Sequence, residues 1–417
     1  MKVNLLQLMN AANNIKVLTN DIKSTQYIML DFMNDKIQVC YSDGKISYIE
    51  KIDGESESGD IYEKAVVELD ALLTKLDVYS PSAGIEVDPL SLKLDGMDGL
   101  ILDCNKFMNQ IQLDEDGEMI DDGNGEALTV RVDAGHFNTK LKYHKCESSA
   151  RFSMTTQMNY DAIFEGDEWV TCGVAEFKNL LTKLSRTDGA RDCYLSPKRS
   201  AGFSIGTGYT VFLPIDFNVV TSALHLSSVK KLSTILSKLS VDTINLLSEN
   251  SQFTKITTDD GKVGIVFEQC AVVRQSIVTL ASFEAPDYTT QGVMFNKAVL
   301  ADMVRGVLLV SGNEIDTELA FSIHGDKVMA SIVKKGSGNG IDNLNIYAHS
   351  VNGDISNFND FKMNISFKLL DIILKSCDGN AVQFDIAHVD EDNYLRISDL
   401  SKSGKEISEL GYYYLTI

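Results

Sequence analysis

The chain has 417 residues, 44% of them hydrophobic, with five prolines and a net charge of −21. That length exceeds what one core fills, so two to four domains are expected, and the composition excludes a disordered chain. No apolar run reaches the roughly 18 to 20 residues that span a bilayer, and so negative a charge argues, on its face, against a protein that grips nucleic acid.

The N-terminus, MKVNLLQLMNAANNIK, lacks a long apolar core and a small-residue cleavage site, so no signal peptide is expected. Seven cysteines (40, 104, 146, 172, 193, 270 and 377) are scattered, odd in number and never arranged CxxC. They point to a reducing cytosol, with no disulfide framework and no zinc site. The six histidines show no metal spacing; neither metal nor cofactor is expected.

In chain order, the first amphipathic segment is 5–16. Two alternating stretches, YIMLDF and IQVCY, follow it, and Ser42-Asp43-Gly44 separates them from a third, ISYIEKI. Alternation flanking an Asp-Gly turn is a hairpin signal. The second helix, 67–77, contains LLTKL, and the third, 175–186, contains the same pentamer. In the third, Phe177, Leu180, Leu181 and Leu184 form one apolar stripe, with Lys178, Lys183 and Arg186 on the other face. The fourth, 227–239, sets Val229, Leu232, Leu236 and Leu239 against Lys230, Lys231 and Lys238; DTINLL, FTKITT, Asp259-Asp260-Gly261 and VGIVFE follow. The fifth, 296–306, precedes ELAFSIHGDKVMASIV. The sixth, 366–376, precedes NAVQFDIAHVDEDNYLRISDL. The unit is therefore one helix plus antiparallel strands, repeated six times. Paired units predict an α+β chain of three similar domains, each with two helices on antiparallel sheet: 1–165 with an insertion at about 105–145, then 166–290, then 291–417.

Positive charge concentrates on these helices. The six segments hold 12 Lys and Arg against 6 Asp and Glu, net +6; the rest holds 26 against 53, net −27. If the helices line one concave face, that face is a positive surface inside an acidic shell, suited to sequence-independent contact with duplex phosphates. The expected DNA-facing residues are Lys75, Lys178, Lys183, Arg186, Lys230, Lys231, Lys238, Lys297, Arg305, Lys368 and Lys375.

With this repeat, the chain resembles the DNA sliding clamps of the bacterial replicative-polymerase type. ARFSMTTQ (150–157) looks like the last strand of that family's first domain. APDY (285–288) is similar to the turn closing its second domain, with Ala285 in place of an aromatic residue. The segment from VLADMVRGVLLV onward follows its third-domain pattern. The resemblance implies a head-to-tail homodimer closed into a ring around double-stranded DNA, which holds DNA by topology and tethers a DNA polymerase and a clamp loader through short peptides. It implies no catalytic residue, no membrane partner and a cytoplasmic location (the host's, if the chain is phage-encoded). The implied peptide pocket uses Tyr209, Val211, Pro286, Tyr288, Tyr414, Leu415 and Ile417. The tail, GYYYLTI, departs from the family by placing Tyr where Met and Pro are usual. The competing expectation is a non-enzymatic, ring-forming structural protein of a virion.

Three motifs are set aside. DEDGEMIDDGNGE places Asp114, Asp116 and Glu118 like a calcium loop, but has Met119 where Gly is needed and Gly125 at the twelfth position. GFSIG matches a hydrolase elbow around Ser204, but a strand pattern rather than a helix follows. KKGSGNGIDN has no following Lys-Ser/Thr and no helix behind it, so it cradles no phosphate.

Overall fold

The computed structural model describes residues 1–416 apart from 57–63, 82–83, 96–98, 115–118, 121–126, 146–159, 167, 188, 250–251, 271–291, 312–316, 325–326, 335–342, 348–349, 353–361, 365–366, 390–391 and 404–405. Among the described residues there are seven α-helices: α1 (Leu5–Thr19), α2 (Leu69–Tyr79), α3 (Tyr160–Ile163), α4 (Val174–Leu184), α5 (Leu226–Leu236), α6 (Lys297–Ser311) and α7 (Phe367–Ser376). Six of them are the expected amphipathic segments, and antiparallel strands follow as the repeat requires. Two expected motifs, 150–157 and 285–288, lie outside the described residues, as does most of 114–126.

The chain forms two compact units. One comprises Met1–Trp169 and Thr234–Glu268, the other Val170–Ser233 and Gln269–Ile417. The segment 166–290 thus contributes to both.

In the first unit, Asn4 caps α1 by accepting the Gln7 N–H at 3.1 Å. Leu8, Ala11, Ala12, Ile15 and Leu18 of α1 are buried, and α1 packs against α2. Strands Tyr27–Phe32, Lys36–Ser42 and Ile46–Glu55 form a meander. Its second turn is the expected one: the Asp43 carboxylate accepts the Lys45 and Ile46 N–H groups at 2.8 Å each, and Gly44 takes φ +88°. Strand Val263–Glu268 extends this sheet by pairing Ile265 with Tyr48. There α3 lays Tyr160 and Phe164 over Gly264, where any Cβ would strike the Phe164 ring. Strands Gly99–Ile111 and Thr129–Lys145 run paired from Gly99–Lys142 to Ile111–Thr129, a long antiparallel pair within the larger sheet, with one register shift at Lys106/Phe107.

The second unit holds a nine-stranded antiparallel sheet. Its order is 222–225, 192–196, 201–205, 209–214, 406–416, 392–403, 381–389, 292–296 and 350–352. A four-stranded sheet of 343–347, 327–334, 317–324 and 362–364 accompanies it. Of the apolar stripes read from sequence, Phe177, Leu180, Leu181 and Leu184 of α4 and Val229, Leu232 and Leu236 of α5 are buried, whereas Leu239 lies past the end of α5 and is only half-buried. Ile235 of α5 and Leu370, Ile373 and Leu374 of α7 are buried as well. Helices α6 and α7 pack together. Helices α4 and α5 are linked by the Thr182 and Ser233 hydroxyls at 2.8 Å.

One buried polar chain lies under α1. Asn14 Nδ2 donates to the Tyr48 hydroxyl at 2.9 Å, and that hydroxyl donates to Glu50 Oε2 at 2.5 Å. Burial pushes the Glu50 carboxyl up from 4.5 to about 7, with the Asp260 charge adding to the rise and the Tyr48 bond opposing it. The folded state therefore favours the protonated acid. Its stabilisation is complete below pH 4.5 and is lost as pH rises through about 7. Replacing Glu50→Gln should remove this loss, making the variant more stable than wild type at pH 8 by up to about 3 kcal/mol, as read by urea denaturation at pH 5 and pH 8.

Candidate nucleic-acid interface and peptide pocket

Nine of the eleven expected DNA-facing residues lie on helices that bury an apolar stripe, whereas Arg186 and Lys238 lie just past the ends of α4 and α5, which stop at Leu184 and Leu236. Lys75, Lys178, Lys183, Lys231 and Lys297 are half-buried; Arg186, Lys230, Lys238, Arg305, Lys368 and Lys375 are exposed. Lys75 and Lys238 lie in the first unit and the other nine in the second. The segregation follows from helix periodicity: once Leu and Phe fill the core at i, i+3, i+4 and i+7, cations can only occupy the remaining arc.

Several of these cations have acceptors nearby. Arg305 pairs with Asp302 at 3.3 Å, one turn away on α6, and Lys375 bonds Asp371 on α7. Lys297 donates to the Cys377 carbonyl. Lys183 Nζ lies 2.9 Å from Asp378 Oδ2, and Arg186 Nη1 lies 3.7 Å from Asp378 Oδ1. This last junction joins the end of α4 to the turn after α7. The turn is held by Asp399, whose carboxylate accepts the Asp378 and Gly379 N–H groups at 2.8 and 2.9 Å. Burial raises the Asp399 carboxyl while those two bonds pull it down. Hydrogen bonding from Lys183 holds the Asp378 carboxyl below its usual range.

A small cavity opens beside this junction, lined by Lys183, Thr187, Val211, Leu213, Asp378 and Tyr413, with Ser376, Asp399 and Leu410 completing it. Its volume is about 10 Å³, enough for one water. Among the described residues of the expected pocket, Val211 lines it. Tyr209 and Leu415 are buried as a cross-strand pair, and the Tyr209 and Tyr413 rings sit 6.4 Å apart. Tyr414 stands opposite Thr210 and Arg396, while Tyr413 is the residue opposite Val211. Pro286, Tyr288 and Ile417 lie outside the described residues.

Thr187, Leu213 and Tyr413 also line the cavity and are not among the residues expected from sequence. Leu213 had a signal, being two residues from Val211 and thus on the same strand face. Tyr413 had none, because the register between 209–214 and the tail is a long-range property. Lys183, expected to face DNA, lines the cavity and is bonded to Asp378.

Ser204 is fully buried within strand Ala201–Ile205, and its hydroxyl donates to the Asp192 carbonyl at 3.0 Å. It has neither the exposure nor the strand-to-helix turn of a nucleophile elbow. No described helix is long and apolar enough to cross a membrane.

The Asp378 junction is half-exposed and screened. Asp378→Asn should cost at most about 1 kcal/mol, a difference that denaturation in high salt should abolish.

No family model matches the sequence, and no curated protein matches it. Solved structures do match along the whole chain. The DNA polymerase III beta subunit of Thermotoga maritima is 13% identical with a TM-score of 0.60, covering 100% of this chain and 98% of that one. The beta chain from Streptococcus pneumoniae TIGR4 is 12% identical at TM-score 0.62, with 100% and 98% covered. The Pseudomonas aeruginosa subunit is 8% identical at TM-score 0.65, with 100% and 99% covered. From end to end, the chain has the fold of the bacterial DNA polymerase III beta subunits, the DNA sliding clamps.

Proposed function

We propose that this protein is a DNA sliding clamp, a non-catalytic processivity factor of a replicative DNA polymerase. The observation that carries this reading is a fold likeness covering 100% of this chain and 98 to 99% of the clamps it resembles. Cation placement supports it: helices whose apolar faces are buried turn Lys and Arg outward, while the rest of the chain is strongly acidic. Such a surface touches phosphates without reading sequence, and acidic surroundings discourage DNA elsewhere.

In this reading, residues 1–165, 166–290 and 291–417 are three clamp domains, and two copies close head to tail into a ring around duplex DNA. A head-to-tail contact that closes after two copies ends in a ring rather than a filament. The ring holds DNA by enclosure, which removes the objection that the net charge of −21 raises. Polymerase and loader dock by short peptides in the pocket that begins at Val211. One neighbour, the C. crescentus beta sliding clamp, carries a polyethylene glycol in its putative beta-motif tethering region. In this chain the cavity at Val211 requires side-chain movement before a peptide enters, since it now holds only about one water. The cytoplasm, or a host's cytoplasm for a phage-encoded clamp, is the matching location.

Negative-stain electron microscopy with mass by light scattering tests the architecture. A six-lobed ring with an open centre, at twice 46.0 kDa, is expected; a compact monomer without a hole would overturn the reading. The inner surface is tested by combining Lys178→Glu, Lys230→Glu, Lys231→Glu and Lys368→Glu. Processive synthesis should fall, while the substitutions at the exposed Lys230 and Lys368 should each change stability by no more than about 0.5 kcal/mol. Full processivity in that variant would remove these residues from the DNA path.

A further inference from the structure

A second cluster of chemically capable side chains lies in the second unit, at the edge of the nine-stranded sheet formed by strands 222–225 and 192–196. Asp192 begins strand Asp192–Ser196, and His225 ends strand Ser222–His225; the two are direct cross-strand partners. Cys270 joins them from further along the chain, anchored by its backbone N–H, which donates to the Ala223 carbonyl at 3.0 Å. Both side chains converge on one oxygen. His225 Nδ1 lies 2.9 Å, and the Cys270 sulfur 3.1 Å, from Asp192 Oδ1. All three donor atoms lie within 4.8 Å of one another.

We propose that Asp192, His225 and Cys270 form a three-ligand site for a borderline divalent cation, with Zn²⁺ the best fit. The donor set selects the ion: one thiolate, one imidazole and one carboxylate suit zinc, whereas calcium and magnesium require several oxygens. The geometry is close to what zinc needs. Tetrahedral coordination with ordinary bond lengths separates N from O by about 3.3 Å and S from O by about 3.6 Å. The present separations are shorter by about 0.4 to 0.5 Å, as befits hydrogen bonds where a cation would sit.

The two side chains that must yield can do so. The His225 side chain is 54% exposed and that of Asp192 is 20% exposed, while Cys270 stays fixed by its backbone bond. The exposed imidazole leaves the fourth position to solvent, the pattern of an open rather than a closed site.

Binding balances simply. The Cys270 thiol gives its proton to solvent and coordinates as thiolate. The neutral His225 imidazole coordinates through Nδ1 and carries its proton on Nε2. One proton is released per ion, so affinity rises with pH. Because the ligands lie at 192, 225 and 270, the ion clips together the ends of two strands and a distant chain segment. It binds the folded chain in preference to the unfolded one and stabilises it accordingly. This site is independent of any role in holding DNA.

The test uses the full chain, made metal-free and titrated with Co²⁺ and then Zn²⁺. One Co²⁺ per chain is expected, with a thiolate-to-cobalt charge-transfer absorption that Zn²⁺ removes, and Zn²⁺ should raise the melting temperature. His225→Ala changes an exposed residue and keeps the fold. It should weaken binding by at least roughly tenfold, the scale on which even outer-shell changes act. Cys270→Ser should abolish the absorption, whereas Cys172→Ser should retain it. Absence of the charge-transfer band, or a band and affinity unchanged in His225→Ala, would overturn the proposal.

Discussion

The second unit depends on one antiparallel pairing, that of Tyr209–Pro214 with the tail strand Glu406–Thr416. Through it, four strands built before residue 226 and five built from residues 292 to 416 become a single nine-stranded sheet. The pairing is fixed by aromatic side chains as well as by backbone bonds. Tyr194 stacks on Phe203 at 5.0 Å between ring centroids, Phe203 on Phe212 at 5.6 Å, and Phe212 on Tyr412 at 5.0 Å. Cross-strand aromatic pairs contribute about 0.5 to 1.5 kcal/mol each beyond burial. More importantly, a slip of one residue would turn every ring to the other face. Arg396 closes the row. It is fully buried, 4.5 Å from the Tyr412 ring, and its charge is matched by Glu409 at 2.7 Å. An unpaired guanidinium there would be strongly destabilising, so the pair specifies where the strand must lie.

From that seam follows the junction at Asp378. With 209–214 and 406–416 in register, Val211 meets Tyr413, and the end of α4 is brought to the turn that Asp399 organises. Lys183 and Arg186 then meet Asp378 rather than standing alone as solvated cations. The same sheet supports both the small cavity at Val211 and, at its edge, the convergence of Asp192, His225 and Cys270. A rigid antiparallel sheet suits both tasks, since its register places side chains without reliance on loops.

Much of this architecture was legible. Six amphipathic helices were readable because apolar residues at helical spacing have one place to go, and Phe177, Leu180, Leu181 and Leu184 went there together. The turn at Asp43-Gly44 was readable because a side-chain acceptor and a residue tolerant of positive φ are local requirements. The outward placement of Lys178, Lys230 and Lys368 was readable as the complement of the same stripes. Of the residues that the family resemblance implies for a peptide pocket, Val211 lines the small cavity, with Tyr413 opposite it across the strand pair.

Sequence alone determined six of the seven described helices, the hairpin turn at Asp43-Gly44, and the separation of apolar from positively charged positions on those helices. These are short-range consequences of side-chain spacing and turn chemistry. Only the tertiary structure decided that Lys183 and Arg186 meet Asp378, that Tyr413 faces Val211, that Ser204 is buried, and that an aspartate, a histidine and a cysteine from positions 192, 225 and 270 share one point. Those outcomes depend on strand order and register between segments tens to hundreds of residues apart. No local pattern encodes them; they emerge when burial and backbone pairing are satisfied together across the whole sheet.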